Sequence, residues 1–228
     1  MNRSRNSFAN AREVAGRLGK MYRWHELDNK DDPFEELVYI VLATRTTEEY
    51  YQRTFKRVKQ VVGHWNRLPK VSVDKLRSAI GEAGLAQKKA RALKRAATQI
   101  QKETGSVSLD FLRNMNTREA ENFLLKLHGV GPKTAKCILM YSLERRVFPV
   151  DTHCVRVGNR LGWFDTTARR FTKAQMRRIE EQIPPDLRKP LHIRLVQHGR
   201  SVCTKQNPKC GGCPLTDMCD YYRTKNEA

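Results

Sequence analysis

Apolar and polar positions recur along this chain at helical spacing, and no segment carries a convincing strand pattern. Asp32-Pro33-Phe34-Glu35 joins an N-cap acid, a first-turn proline and a Glu three residues after the cap. It predicts a buried helix ending near Ala43. Thr46 with Glu49 repeats the capping logic and predicts a helix to Val62 with a basic outer face, stopped by Gly63. The spacing predicts a further helix from about Leu85 to Glu103, ended by Gly105, with Lys88, Lys89, Arg91, Lys94 and Arg95 as an exposed positive band. Asn116 with Glu119 caps a helix reaching Leu127, and Pro132 opens the next, which continues to about Leu143. Later helices are signalled from Thr152 to about Leu161, from Thr172 with Gln175 to Ile183, and from Pro190 to about Val202. The prediction is an all-α body without internal repeats or low-complexity linkers.

Charge narrows the partners. With 44 Lys+Arg against 24 Asp+Glu, the 228 residues carry a formal charge of +20, which points to a polyanion, nucleic acid being the commonest. The same arithmetic also suits a plainly solvated surface. The longest apolar stretch, Leu37 to Ala43, is far below the roughly 18 residues of a membrane span, so no membrane is expected. Arg3 and Arg5 are followed by no apolar block. No secretion signal is therefore read, a reducing compartment is expected, and structural disulfides are not.

Cys203, Cys210, Cys213 and Cys219 crowd four thiols onto one short glycine-containing loop in the pattern C-x6-C-x2-C-x5-C, which calls for a metal. By coordination number, zinc and a cubane iron-sulfur cluster fit equally. Cys137 and Cys154 fall within predicted helices and read as small buried apolar residues.

The helices ending at Leu127 and starting at Pro132 are joined only by His128-Gly129-Val130-Gly131, a helix-hairpin-helix. Such a turn leaves backbone N–H groups facing outward, where a phosphate can sit regardless of base sequence. It serves equally as a tight turn that binds nothing. Lys133 follows at the positive end of a helix, where its charged form is disfavoured and a free amine is favoured. Asp151 precedes the helix starting near Thr152 and suits an N-cap.

Leu127-His128-Gly129-Val130-Gly131-Pro132-Lys133-Thr134-Ala135 resembles the hairpin signature of the endonuclease III family, and Val150-Asp151-Thr152-His153 resembles its catalytic block. The spacing of 18 residues between Lys133 and Asp151 also fits, and the resemblance extends from Phe34 to Cys219. It implies two helical domains flanking a cleft: a helical barrel over 26–145 containing the hairpin at 116–143, and an iron-sulfur domain from 1–25 plus 146–228. It further implies a monomeric glycosylase and abasic-site lyase on double-stranded DNA, cytoplasmic and nucleoid-associated if prokaryotic. Lys133 and Asp151 are its catalytic pair, and a 4Fe-4S cluster sits on the four cysteines. Gly129, Val130, Gly131 and Thr134 contact DNA in this picture, and Leu85, in Gly84-Leu85-Ala86-Gln87-Lys88, matches the wedge loop; His153, just after the Asp151 cap, suits ordinary packing or an orienting or phosphate-contacting role.

Two departures bear on substrate. Arg45 stands where the family usually carries a gap-filling glutamine. The stretch between Gly105 and Gly129 is longer, and its Leu109-Asp110-Phe111-Leu112-Arg113, with Phe148-Pro149-Val150-Asp151 and Arg160-Leu161-Gly162-Trp163, resembles plant 5-methylcytosine DNA glycosylases. Oxidised pyrimidines and methylated or otherwise modified cytosine are therefore both open, beside a mismatch-type glycosylase and a catalytically weak DNA-binding paralogue.

Overall fold

Helices begin where a side chain can hold their first backbone N–H groups. The computed structural model describes residues 8–22, 27–81, 85–164 and 171–226. Its α-helices are α1 (Ala11–Met21), α2 (Pro33–Ala43), α3 (Glu48–Val62), α4 (Val73–Ile80), α5 (Ala86–Thr104), α6 (Thr117–Lys126), α7 (Pro132–Tyr141), α8 (Thr152–Arg160), α9 (Lys173–Glu181), α10 (Arg188–Ser201) and α11 (Asp220–Asn226). Arg3, Arg5, Gly84 and the expected 25/26 boundary lie outside the described residues. Asp32 Oδ1 accepts from the N–H groups of Phe34 and Glu35, both at 2.8 Å. Asn116 with Glu119, and Thr172 with Gln175, form reciprocal capping boxes. Among the described residues there is no strand, so the chain is all-α, and no helix is long and apolar enough to cross a membrane.

Three local expectations need correction. Thr46 does not cap α3: its hydroxyl turns back to the Leu42 carbonyl at 2.7 Å, and Thr47 takes the N-cap position without a side-chain bond. A threonine just past a helix end finds that helix's orphan carbonyls first. Glu35 closes no capping box, because its carboxylate accepts the Trp65 indole N–H at 3.0 Å and pairs with Lys59. Lys89 is not on the exposed band of α5 but is 4% exposed.

The chain divides into two units, Asp28–Arg145 and Met1–Leu27 with Arg146–Ala228. In the first, α2 is apolar on most sides and packs against α3, α5 and α7. Leu37, Val38 and Leu42 are buried, and each buried branched side chain contributes about 1.5–3 kcal/mol. The segment Leu109–Arg113 belongs to this core. Leu109 and Leu112 are fully buried, while Arg113 donates to the carbonyls of Ser142 and Asp31 at 2.8 and 2.7 Å. In the second unit, α1 packs on α10 and α10 on α8. Trp163 is buried against Phe8, with ring centroids 4.9 Å apart, and its indole N–H donates to Asn10 Oδ1 at 2.6 Å.

Candidate functional site

The hairpin between α6 and α7 is shaped by one glycine. Gly129 has φ +83°, and a Cβ on it would stand 2.8 Å from the Cβ of Ala92 on α5. Both the left-handed backbone and the close approach therefore exclude other residues. Val130, buried, donates its N–H to the Leu127 carbonyl at 3.2 Å and closes the turn. Gly131 is the N-cap of α7 without a side-chain cap, and the space where its Cβ would lie is open. Pro132 takes the first helical position, which puts half-buried Lys133 second and half-buried Thr134 third. An uncapped helix start beside open space is a ready anion site.

Behind Lys133, α2 carries a carboxylate that the sequence reading passed over. Glu36 is fully buried, accepts from Asn29 Nδ2 at 2.5 Å and from the Lys30 N–H at 2.8 Å. Burial pushes its carboxyl up to about 7, while those two hydrogen bonds and the charges of Lys133 and Lys30 pull it down. A Glu one position after Glu35 on an otherwise apolar helix was the only available signal.

Asp151 is the N-cap of α8, its Oδ1 accepting from the N–H groups of His153 and Cys154 at 2.9 and 2.8 Å. The approach to it is pinned. Phe148 and Val150 are buried, the Phe148 N–H donates to Glu180 at 2.7 Å, and His192 Nδ1 lies 2.9 Å from the Pro149 carbonyl. His153 packs into α10 so closely that a Cβ on Gly199 would stand 2.7 Å from its Nδ1. Burial lowers its pKa, and Arg156 Nη2 lies 3.0 Å from the same nitrogen.

Arg45 and Leu85 share an unusual backbone. Both have positive φ, +55° and +76°. Arg45 is exposed and has no side-chain partner among the described residues. Leu85 is half-buried at the N-cap position of α5.

Cys203, Cys210, Cys213 and Cys219 line one small cavity in the second unit, and none forms a disulfide. Burial, with the other three sulfurs adding to it, pushes the Cys213 thiol up to about 11, and burial also raises Cys219. Such a set is stable as thiolates only around a cationic centre. Around the cavity stand groups the sequence reading passed over. Arg160 Nη1 donates to Cys203 Sγ at 3.1 Å and lies over the Tyr221 ring, and His198 Nε2 is 3.4 Å from Cys213 Sγ. The four-residue spacing of Arg156 and Arg160 behind Asp151 is the trace they leave in sequence.

A family model described as the HhH-GPD superfamily base excision DNA repair protein matches residues 38–185, and one described as the iron-sulfur binding domain of endonuclease III matches 203–219. A protein of Arabidopsis thaliana assigned as a DNA glycosylase is 34% identical over 84% of this chain and 68% of its own. Endonuclease III of Thermotoga maritima is 30% identical over 95% of this chain and 93% of its own. Among solved structures, a trapped endonuclease III–DNA covalent intermediate superimposes with a TM-score of 0.79 at 25% identity, over 94% of this chain and 96% of that one.

Proposed function

Because the chain belongs to the HhH-GPD superfamily of base excision DNA repair proteins, we propose that it is a bifunctional DNA glycosylase and abasic-site lyase. It acts as a monomer on double-stranded DNA, removes a damaged or modified pyrimidine, and works beside the chromosome, cytoplasmic and nucleoid-associated in a prokaryote. The observation that carries this reading is Lys133 in the first turn of α7, directly behind the hairpin that Gly129 shapes.

A base inside a duplex is out of reach, so the nucleotide must leave the stack. In this reading Leu85 wedges the duplex, Arg45 hydrogen-bonds the orphaned base, and Gly129, Val130, Gly131 and Thr134 hold a phosphate at the start of α7. His153, packed on Gly199, orients the first turn of α8. The neutral amine of Lys133 attacks C1′, the glycosidic C1′–N bond breaks, and the base departs with one proton. The C1′–O4′ bond then breaks, O4′ taking a proton from solvent, and leaves a protonated imine between Nζ and C1′. Loss of a C2′ proton then expels the 3′-phosphate, and water releases the lysine. The Asp151 carboxylate stabilises positive charge developing on the sugar.

The iron-sulfur centre is assigned as 4Fe-4S on Cys203, Cys210, Cys213 and Cys219. Four thiols around one cavity, in a segment that matches the iron-sulfur binding domain of endonuclease III, favour an iron-sulfur centre over zinc. When bound, it ties residues 203–219, with Lys205 and Lys209, into one rigid loop.

Borohydride trapping on duplex DNA with one abasic site tests the lyase: a covalent adduct is expected with the parent and not with Lys133→Ala, and no adduct with the parent overturns it. A second reading, excision of a modified cytosine, is favoured by Leu109–Arg113 and its resemblance to plant 5-methylcytosine glycosylases. Release from duplexes that each carry one modified base decides between them.

A further inference from the structure

Arg45 and Leu85 lie 40 positions apart, yet one buried lysine joins their turns. Lys89 sits in the first turn of α5 and is 4% exposed. Its backbone N–H donates to the Leu85 carbonyl at 2.8 Å, and its Nζ donates to the Leu42 carbonyl at 2.8 Å. Leu42 is in the last turn of α2, and its carbonyl also accepts the Thr46 hydroxyl at 2.7 Å. A single oxygen thus anchors the segment on both sides of Arg45, while the same lysine's backbone anchors Leu85.

Fold stability alone is a poor reason for this arrangement. The ammonium is desolvated with no carboxylate beside it among the described residues, and burial lowers its pKa. The negative end of the α2 dipole compensates only in part. Each turn it holds places a side-chain-bearing residue at positive φ, a strain that persists only where the surroundings over-determine it.

We infer that Lys89 is a positioning residue that makes the Arg45 and Leu85 turns one element, so that wedge and gap-filler enter DNA in a single step. The inference rests on the roles proposed for those two residues. Once the Leu42 contact is removed, the turns move independently and entry splits into two events.

The test is stopped-flow fluorescence of 2-aminopurine beside a non-cleavable tetrahydrofuran site in duplex DNA, with the full chain. The parent is expected to give one rising phase, and Lys89→Met two phases, the slower at least tenfold below the parent rate. A single phase at the parental rate in a folded Lys89→Met protein reduces Lys89 to a helix cap and overturns the proposal. Should Lys89→Met fail to fold, Lys89→Gln, one atom shorter, uncharged and still polar at its end, weakens the same contact to the Leu42 carbonyl and is read in the same way. Two phases then support the proposal and one parental phase overturns it. A parent that gives no rise over undamaged duplex removes the DNA-entry roles themselves, a result distinct from an intact parental rise that the variants leave unchanged.

Discussion

Gly129 approaches α5 so closely that a Cβ on it would stand 2.8 Å from the Cβ of Ala92. Gly129→Ala meets two penalties, a left-handed backbone worth about 1–2 kcal/mol and overpacking worth about 1–3 kcal/mol. Urea unfolding of the variant should show a combined loss of roughly 2–5 kcal/mol. Adding Ala92→Gly relieves only the packing part and costs about 1 kcal/mol of helix propensity, so the pair should be non-additive. Strict additivity would mean that the two residues do not touch.

Glu36 makes stability depend on pH with a definite sign. Its folded pKa of about 7 lies above the ordinary 4.5, so the folded state holds the proton more tightly. The contribution is fully present below about pH 4.5 and is lost as pH rises through 7. The shift corresponds to on the order of 3 kcal/mol. The stability of the parent minus that of Glu36→Gln, followed by denaturant unfolding, should fall by that order between pH 4.5 and 8. A flat difference would show Glu36 charged throughout.

Asp151 has two jobs that one substitution separates. Asp151→Asn keeps an oxygen for the N–H groups of His153 and Cys154, so the melting temperature should stay close to the parent's. Base release should nevertheless fall by about 10²–10⁴ with loss of the charge. Asp151→Ala should add about 1 kcal/mol of lost capping. Equal base release by the asparagine variant and the parent would remove the carboxylate from the chemistry.

Iron and acid-labile sulfide, each at about four per chain, are expected in purified protein, and Cys213→Ser should lower both. One zinc per chain and no sulfide would replace the cluster by a single ion.

Binding to duplex DNA should weaken about a thousandfold between 50 and 200 mM salt if six or more phosphates are neutralised. Fluorescence anisotropy against salt gives the slope. A flat response would count against phosphate contacts by the basic surface.

What the sequence revealed and what it hid divide along physical lines. Caps act over three residues, so Asp32, Asn116 and Thr172 could be read directly, and the glycine pair with Pro132 marked the hairpin. Thr46 misled because either of two helix ends could use its hydroxyl, and only packing decides. Lys89 shares its helical spacing with exposed lysines, and its burial depends on Leu42, 47 positions away. Glu36, Arg160 and His198 take their meaning from partners brought near by tertiary folding, a distance that periodicity does not encode. The order of Lys133 and Asp151 was legible because each opens a helix, α7 and α8.

The core around Trp163 has a consequence for synthesis. Asn10, which accepts the Trp163 indole, is 153 positions upstream, and Leu215 and Met218 belong to the same core. At roughly 5–20 residues per second, a ribosome makes Asn10 many seconds before any of these partners. Asp28–Arg145 is contiguous and can close while translation continues. The first helix must wait, exposing Val14 and Leu18 meanwhile, and the cysteines emerge only with the residues that shut that core. Maturation of the iron-sulfur loop is thereby deferred until the ribosome has passed Cys219.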